Sequence, residues 1–323
     1  MKDQFSRNIN YMRISITDRC NLRCQYCMPS DIQLLPMEEL LTYQEILDVV
    51  REAVKLGITK IKVTGGEPLV RRGAPNLIKE IKEMEGIEQV TMTSNGILLD
   101  QFIDELKDAK LDAINISLDT LHKDEYKKIT GFDELEKVLA NIDLAISSGF
   151  KTKVNVVLQK DLNPDWKSMV ELAKDKPLDV RFIELMPIGF GKSGQRIDNY
   201  LIKEELKKMY PDLEEDDRIH GNGPAEYIYI PCFKGSIGFI SAINNKFCED
   251  CNRIRLTSTG KVKPCLCYGD TVDLRDILRS DDEDRNERLR AALQEAIEYK
   301  PKEHCFETLD EITEEKKMSQ IGG

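Results

Sequence analysis

The chain has 323 residues, roughly two domains at about 150 residues each, and 41% of them are apolar, which excludes a mini-protein and wholesale disorder. Its 58 acidic against 47 basic residues give a net charge of −11, which argues against a general nucleic-acid or membrane coat but leaves room for a local basic pocket. With no run of 18 apolar residues and a polar start from Met1 to Asn10, neither a membrane span nor a signal peptide is expected, and a cytoplasmic address follows.

From Tyr11 to Pro187 short β-rich runs alternate with amphipathic helical runs, the pattern of βα units around a parallel sheet. Strands are predicted near Met12–Thr17, Ile58–Thr64, Gln89–Thr93, Asp112–Leu118, Thr152–Leu158 and Asp179–Glu184. Helices are predicted near Met37–Leu56, Ala74–Met84, Leu99–Ala109, Phe132–Ser148 and Pro164–Lys174. Six strands rather than eight predict an α/β fold with an incomplete (β/α)6 TIM-like barrel. A helix near Asn199–Met209 is followed by Pro211 to Pro224, which is dense in Asp, Glu, Gly and Pro and reads as a linker. Short strands near Tyr227–Pro231, Ser236–Ile240, Arg253–Thr257 and Lys261–Lys263 and a last helix to about Tyr299 then suggest a core over residues 1–210 and a small C-terminal domain over 211–323.

Residues two apart on a strand share a face. Met12, Ile14 and Ile16 alternate with Arg13, Ser15 and Thr17, Ile61 and Val63 with Lys62, and Val90 and Met92 with Thr91 and Thr93. Ile114 and Ile116 alternate with Asn115 and Ser117, Val154 and Val156 with Lys153 and Asn155, and Val180 and Phe182 with Arg181. Helices must cover the apolar face, so the polar face points into the barrel. Arg13, Lys62, Lys153 and Arg181 then line the interior, and because unpaired buried charge is expensive, the lumen is expected to be open and to bind an anion. The alternative is that internal carboxylates such as Glu184 neutralise these cations.

Nine cysteines without a secretion signal point to metal ligands or reactive thiols rather than disulfides, whereas the three histidines, His122, His220 and His304, are scattered and read as exposed or core residues. Cys20, Cys24 and Cys27 stand just after the first strand as Cys-xxx-Cys-xx-Cys. Three thiolates can hold a 4Fe-4S cluster with one iron left open to chelate a small molecule; zinc, the rival, wants a fourth ligand. Thr64-Gly65-Gly66-Glu67-Pro68, where the glycines let the backbone approach a ligand and the Glu67 carboxylate can accept from an ammonium group, Ser94-Asn95-Gly96, Ser117, Asp119 and Met186-Pro187 all fall at strand ends on the same rim. Cys248 and Cys251, with Cys265 thirteen residues further on, form a second trio, for which a zinc ribbon completed by Cys267 is the alternative. Arg253 and Arg255 share a strand face there, suited to forked contacts with phosphate or a base.

The first trio, with Tyr26 before its last cysteine and Gly-Gly-Glu-Pro after the next strand, resembles the radical S-adenosylmethionine (SAM) superfamily. The second trio within Cys-xx-Cys-Asn-Arg-Ile-Arg, the opening Arg13 to Cys20 and the terminal Gly322-Gly323 resemble the GTP 3',8-cyclase family of molybdenum cofactor biosynthesis over essentially the whole chain. That resemblance implies an oxygen-sensitive lyase with two 4Fe-4S clusters, on Cys20, Cys24 and Cys27 and on Cys248, Cys251 and Cys265. A 5'-deoxyadenosyl radical made from SAM would take the ribose 3'-hydrogen of GTP, and the C3' radical would add to guanine C8 to give 3',8-cyclo-7,8-dihydro-GTP. By the same resemblance Tyr26, Gly66, Ser117 and Met186 would bind SAM, and Arg13, Lys62, Thr93, Lys153, Arg253, Ile254 and Arg255 would bind GTP, with Arg253 and Arg255 also serving catalysis. It further implies an electron donor such as a flavodoxin or ferredoxin, a downstream cyclic pyranopterin monophosphate synthase, a homodimer, and no nucleic-acid polymer or membrane partner. Two rivals differ in their needs: a radical SAM peptide-modifying enzyme with an auxiliary cluster domain has no use for the paired arginines or the cationic face, and a zinc-bearing binding module has none for iron.

The chain departs from the family pattern at Asp3-Gln4-Phe5-Ser6-Arg7, where Asp-Ser-Phe-Gly-Arg is common, and at Lys62, where arginine is common. Cys267 is an extra thiol, and Cys232 and Cys305 are expected to be buried free thiols.

Overall fold

The computed structural model describes residues 1–28, 32, 34–269 and 271–322. Six parallel strands follow one another in space as in sequence: β1 (Tyr11–Ser15), β2 (Lys60–Thr64), β3 (Gln89–Ser94), β4 (Ala113–Ser117), β5 (Lys151–Val157) and β6 (Asp179–Ile183). Among the described residues the connecting helices are α1 (Tyr43–Lys55), α2 (Ala74–Lys82), α3 (Leu99–Asp108), α4 (Lys123–Thr130), α5 (Leu135–Ser147) and α6 (Trp166–Asp175), with α7 (Asn199–Met209) after β6. Met12, Ile14, Ile61, Val63, Val90, Met92, Ile114, Ile116, Val154, Val156, Val180 and Phe182 are fully buried in one core with the apolar stripes of the helices, as the alternation requires.

The strands after residue 210 do not build a sheet of their own. These are β7 (Glu214–Glu215), β8 (Glu226–Tyr229), β9 (Ile237–Ile240), β10 (Arg253–Leu256), β11 (Lys261–Lys263) and β12 (Val272–Asp273). β10 adds parallel to β1 and β9 parallel to β6, and antiparallel strands continue outward on each side, so the described strands form one 12-stranded sheet. The chain closes with α8 (Arg275–Leu278) and α9 (Arg285–Glu298).

Three local differences from the sequence expectation have simple causes. The helix predicted from Met37 begins only at Tyr43, because Thr42 and Glu45 form a reciprocal capping box, Thr42 accepting from the Glu45 amide at 3.1 Å and Glu45 from the Thr42 amide at 2.6 Å. α4 was not predicted, although Asp124 and Glu125 in its first turn and Lys127 and Lys128 in its last fit the helix dipole. The stretch expected to be a linker, Pro211 to Pro224, contains β7 and is tied to the barrel by His220 and Asn222.

At the N-terminus, Asp3 accepts from the amides of Phe5 and Arg7, both at 2.9 Å, in a tight turn that places Ser6 at φ 64. A residue with a Cβ costs about 1–2 kcal/mol in that conformation, which glycine adopts freely. Ser6→Gly is therefore expected to stabilise the protein by about 0.5–1 kcal/mol after the extra flexibility of the unfolded chain is counted, read as a higher midpoint of anaerobic thermal unfolding.

Candidate active site

β1 ends at the rim on which its cysteines stand, and Gly66 holds them there. Gly66 donates to Thr17 O at 2.7 Å and Glu67 donates to Arg19 O at 2.8 Å, so the segment after β2 clamps the start of the cysteine loop. A Cβ on Gly66 would lie 2.3 Å from Arg19 O, which is why no larger residue fits. The carboxylate of Glu67 accepts from Leu69, Asn95 and Ser94, and burial pushes it up to about 7, so it braces the rim after β3 rather than standing free for an ammonium group. The loop's far side is held by α4: Arg23 and Gln25 donate to the carbonyls of Thr130 and Ile129 at 2.9 and 3.0 Å, satisfying groups that the helix end leaves open.

Within this loop, burial and then Cys20 and Asp119 push Cys27 up to about 12, and burial pushes Cys20 up to about 11. Tyr26 donates to Asp119 at 2.6 Å, and Asp119, raised to about 6 by burial, also accepts from the Val157 amide. Ser117 ends β4, Met186 follows β6, and Asn95 bridges to Asn21 at 2.7 Å. The SAM-site residues expected from sequence thus share one rim.

The second trio lies at the opposite end. Cys248 and Cys251 precede β10, which runs parallel to β1, whereas Cys20 follows β1; Cys265 follows β11, which runs antiparallel to β10. Burial opposes ionisation of Cys251, but Arg253 and Lys300 outweigh it and lower this thiol to about 6. The Arg253 guanidinium lies 3.9 Å from Cys251 Sγ and 5.0 Å from the Phe247 ring centre. Cys267 Sγ lies 3.0 Å from Cys305 Sγ, both buried. Cys232, expected to be buried, is exposed, in a turn at φ 73. Among the described residues, no three Cys, His, Asp or Glu side chains close around a single ion.

Between the two ends lies the polar face. Arg13 sits abreast of Lys62 and Arg255, Thr93 of Asn115, and Asn115 of Lys153. Lys62 is held well below its usual value by burial and then by Arg181, Arg13, Lys153 and Arg253, cations from four other strands, so the sheet is curled around a shared lumen. Burial and then Arg13 and Arg253 do the same to Arg255. Glu184, the carboxylate named as a possible counter-charge, accepts instead from the backbone of Ile243 and the Asn244 side chain, both at 2.8 Å; Arg181 turns to the neutral Asn155, and Lys153 is paired with Asp179. Ile254 points into the core and can meet the lumen only through its backbone. Gly322 reaches the same space, its carbonyl accepting from Arg255 at 2.8 Å and Arg13 at 3.4 Å; Gly323 lies outside the described residues.

Residues 14–173 match the radical SAM superfamily model, and residues 178–306 match the Molybdenum Cofactor Synthesis C model. The chain is 45% identical to the GTP 3',8-cyclase of Clostridium perfringens (strain 13 / Type A) over 325 residues, covering 100% of both chains, and 44% identical to that of Alkaliphilus oremlandii, again over 100% of both. It belongs to the GTP 3',8-cyclase family. In fold it is similar to Streptococcus suis SuiB bound to S-adenosylmethionine, with a TM-score of 0.64 at 14% identity, covering 88% of this chain and 68% of that one.

As a GTP 3',8-cyclase family member it is a radical SAM enzyme of molybdenum cofactor biosynthesis, using SAM and an iron-sulfur cluster. Residues that sequence reasoning missed lie mostly behind these groups. Asp179, His220 and Tyr227 stand around Lys153, and Arg7 donates to the carbonyls of Cys248 at 2.9 Å, Lys302 at 2.8 Å and Pro301 at 2.7 Å. Arg7 pairs with Asp3 at 2.6 Å, and the sequence signal for it was its place with Asp3 in the opening Asp-x-Phe-x-Arg stretch.

Proposed function

We propose that the chain holds two 4Fe-4S clusters, one at each end of its lumen, and converts GTP to 3',8-cyclo-7,8-dihydro-GTP. The observation that carries this is the placement of two cysteine trios at opposite ends of one cation-lined chamber. The donor sets fit such clusters: a cubane spreads its three thiolates over three irons, so it does not need the tight convergence around one ion that zinc requires. Ligation by Cys20, Cys24 and Cys27 would relieve the high cost of ionising buried thiols, and Cys251 is already disposed to ionise. Cys265 completes the second trio in this assignment, while Cys267 is engaged with Cys305.

Cys20, Cys24 and Cys27 would hold the first cluster, which with SAM would supply the radical chemistry needed at the ribose 3'-hydrogen. Around it, Tyr26, Gly66, Ser117 and Met186 form the SAM rim, Tyr26 and Met186 largely through their backbones. Arg13, Lys62, Lys153 and Arg255 hold the triphosphate: a polyanion offsets the burial and the mutual repulsion that now depress Lys62 and Arg255. Thr93, Arg253 and the Ile254 backbone orient the nucleotide beside the second trio. Residues 1–210 form the SAM-binding core in this scheme, and 211–323 carry the second cluster and the tail. The enzyme would work in the cytoplasm, take electrons from a flavodoxin or ferredoxin, and feed a cyclic pyranopterin monophosphate synthase.

Anaerobically reconstituted protein should contain about eight irons per chain. Incubated with SAM, reductant and GTP deuterated at C3', it should place deuterium in 5'-deoxyadenosine. Predominant zinc, a single cubane, or unlabelled 5'-deoxyadenosine alongside a cyclised product would overturn the proposal.

A further inference from the structure

The segment from Asp216 to Pro224 crosses the N-terminal ends of the barrel strands. Asn222 hydrogen-bonds Gln89 at the start of β3, Gly221 passes close to the Lys153 side chain of β5, and His220 meets Asp179 at the start of β6. Cavities of about 670 and about 400 Å³ flank it, the first lined by Arg181, His220 and Tyr227, the second by Asn222, Phe247 and Arg253. It therefore forms a floor to the cationic lumen at the end opposite the first cysteine trio.

His220 is the centre of this floor. Its side chain is 10% exposed, its Nδ1 hydrogen-bonds Asp179 Oδ2 at 2.9 Å, and its Nε2 lies 3.0 Å from Asp216 Oδ2 but outside hydrogen-bonding geometry. The ring stacks on Tyr227 with centres 3.9 Å apart and planes 14° from parallel. Tyr227 in turn accepts from Lys153 Nζ at 3.3 Å. Asp216 is fixed from behind by Arg218 and Ser236, both at 2.6 Å. The oxygen of Asp179 that meets His220 is the one that pairs with Lys153, so imidazole and ammonium compete for a single oxygen. That sharing weakens the carboxylate's hold on the lysine and leaves its charge available to a phosphate arriving from the lumen.

We propose that His220 is a positioning residue that sets, through Asp179 and Tyr227, how Lys153 is presented to the terminal phosphate of GTP, and so contributes to selection of the triphosphate over the diphosphate. This rests on the assignment of Lys153 to the triphosphate made above. Lys153 stands beside this floor, so its ammonium is aimed by the floor as well as by its own strand, and in this proposal the phosphate it meets is the terminal one, which GDP lacks.

The test uses the reconstituted holoenzyme under anaerobic conditions, with GTP and GDP dissociation constants and steady-state kinetics measured for four proteins: wild type, His220→Ala, His220→Asn and Lys153→Ala. His220→Ala should weaken GTP about tenfold and GDP by much less, shrinking the GTP-to-GDP preference, with the kinetic loss falling on KM rather than kcat. His220→Asn keeps an amide donor near the position of Nδ1 and should recover most of the affinity. If Lys153→Ala leaves GTP affinity unchanged, the triphosphate assignment itself fails. If Lys153→Ala weakens GTP but His220→Ala matches wild type, or weakens GTP and GDP equally, the role of His220 fails while the assignment stands.

Discussion

Arg255→Ala is expected to lower formation of the cyclised nucleotide by about two to three orders of magnitude, the usual cost of removing one preorganised charged donor from a reacting site. The side chain is placed by β10 abreast of Arg13, and its guanidinium already donates to the Gly322 carbonyl at 2.8 Å, so one fork serves both the tail and the proposed triphosphate. Arg255→Lys should recover little, because a point charge on a flexible stem cannot make both contacts in one plane. Cleavage of SAM should fall less than cyclisation, since the SAM rim lies past the other end of β1. Quantifying 5'-deoxyadenosine and cyclised product in the same reaction separates the two effects. Wild-type cyclisation by the alanine variant would remove Arg255 from the site.

The second large effect is structural. Arg7→Ala should destabilise the protein by about 3–5 kcal/mol, because it strands the buried carboxylate of Asp3 and takes the donor away from several backbone carbonyls at once. One of those carbonyls belongs to Cys248, so the damage should be uneven. Iron should fall from about eight to about four per chain, with the loss at the second trio. Asp3→Asn, which keeps shape and one acceptor, should be milder. Anaerobic thermal unfolding and iron analysis on the same samples check both statements. A normal melting temperature with full iron would show that the N-terminal turn does not support the second trio.

The barrel and its cationic face were legible because they rest on a local rule. Side chains alternate along a strand with period two whatever lies elsewhere in the chain, so Arg13, Lys62, Lys153 and Arg181 could be assigned to one face from their spacing. The cysteine trios were legible for a similar reason, since each is set mostly by close spacing. α4 was missed despite usable end signals, and it matters because its last carbonyls hold the Cys20–Cys27 loop. Glu67 was misjudged: its motif marks the rim correctly, but whether its carboxylate faces a ligand or the backbone depends on Leu69, Ser94 and Asn95.

Composition, strand parity and cysteine spacing were enough to specify a curled parallel sheet with a charged interior and two cysteine trios, because each is a property of neighbours in the chain. Tertiary structure alone decided where these meet. β10 joins β1 in parallel and so sends the second trio to the far end of the lumen; Arg7 grips Cys248, 241 residues away; and the acidic stretch around His220 folds under Lys153. Such contacts depend on how the ends of the sheet are completed, and no local periodicity records them: the stretch that reads as a linker becomes a floor once Asp216, His220 and Asn222 find partners on the barrel.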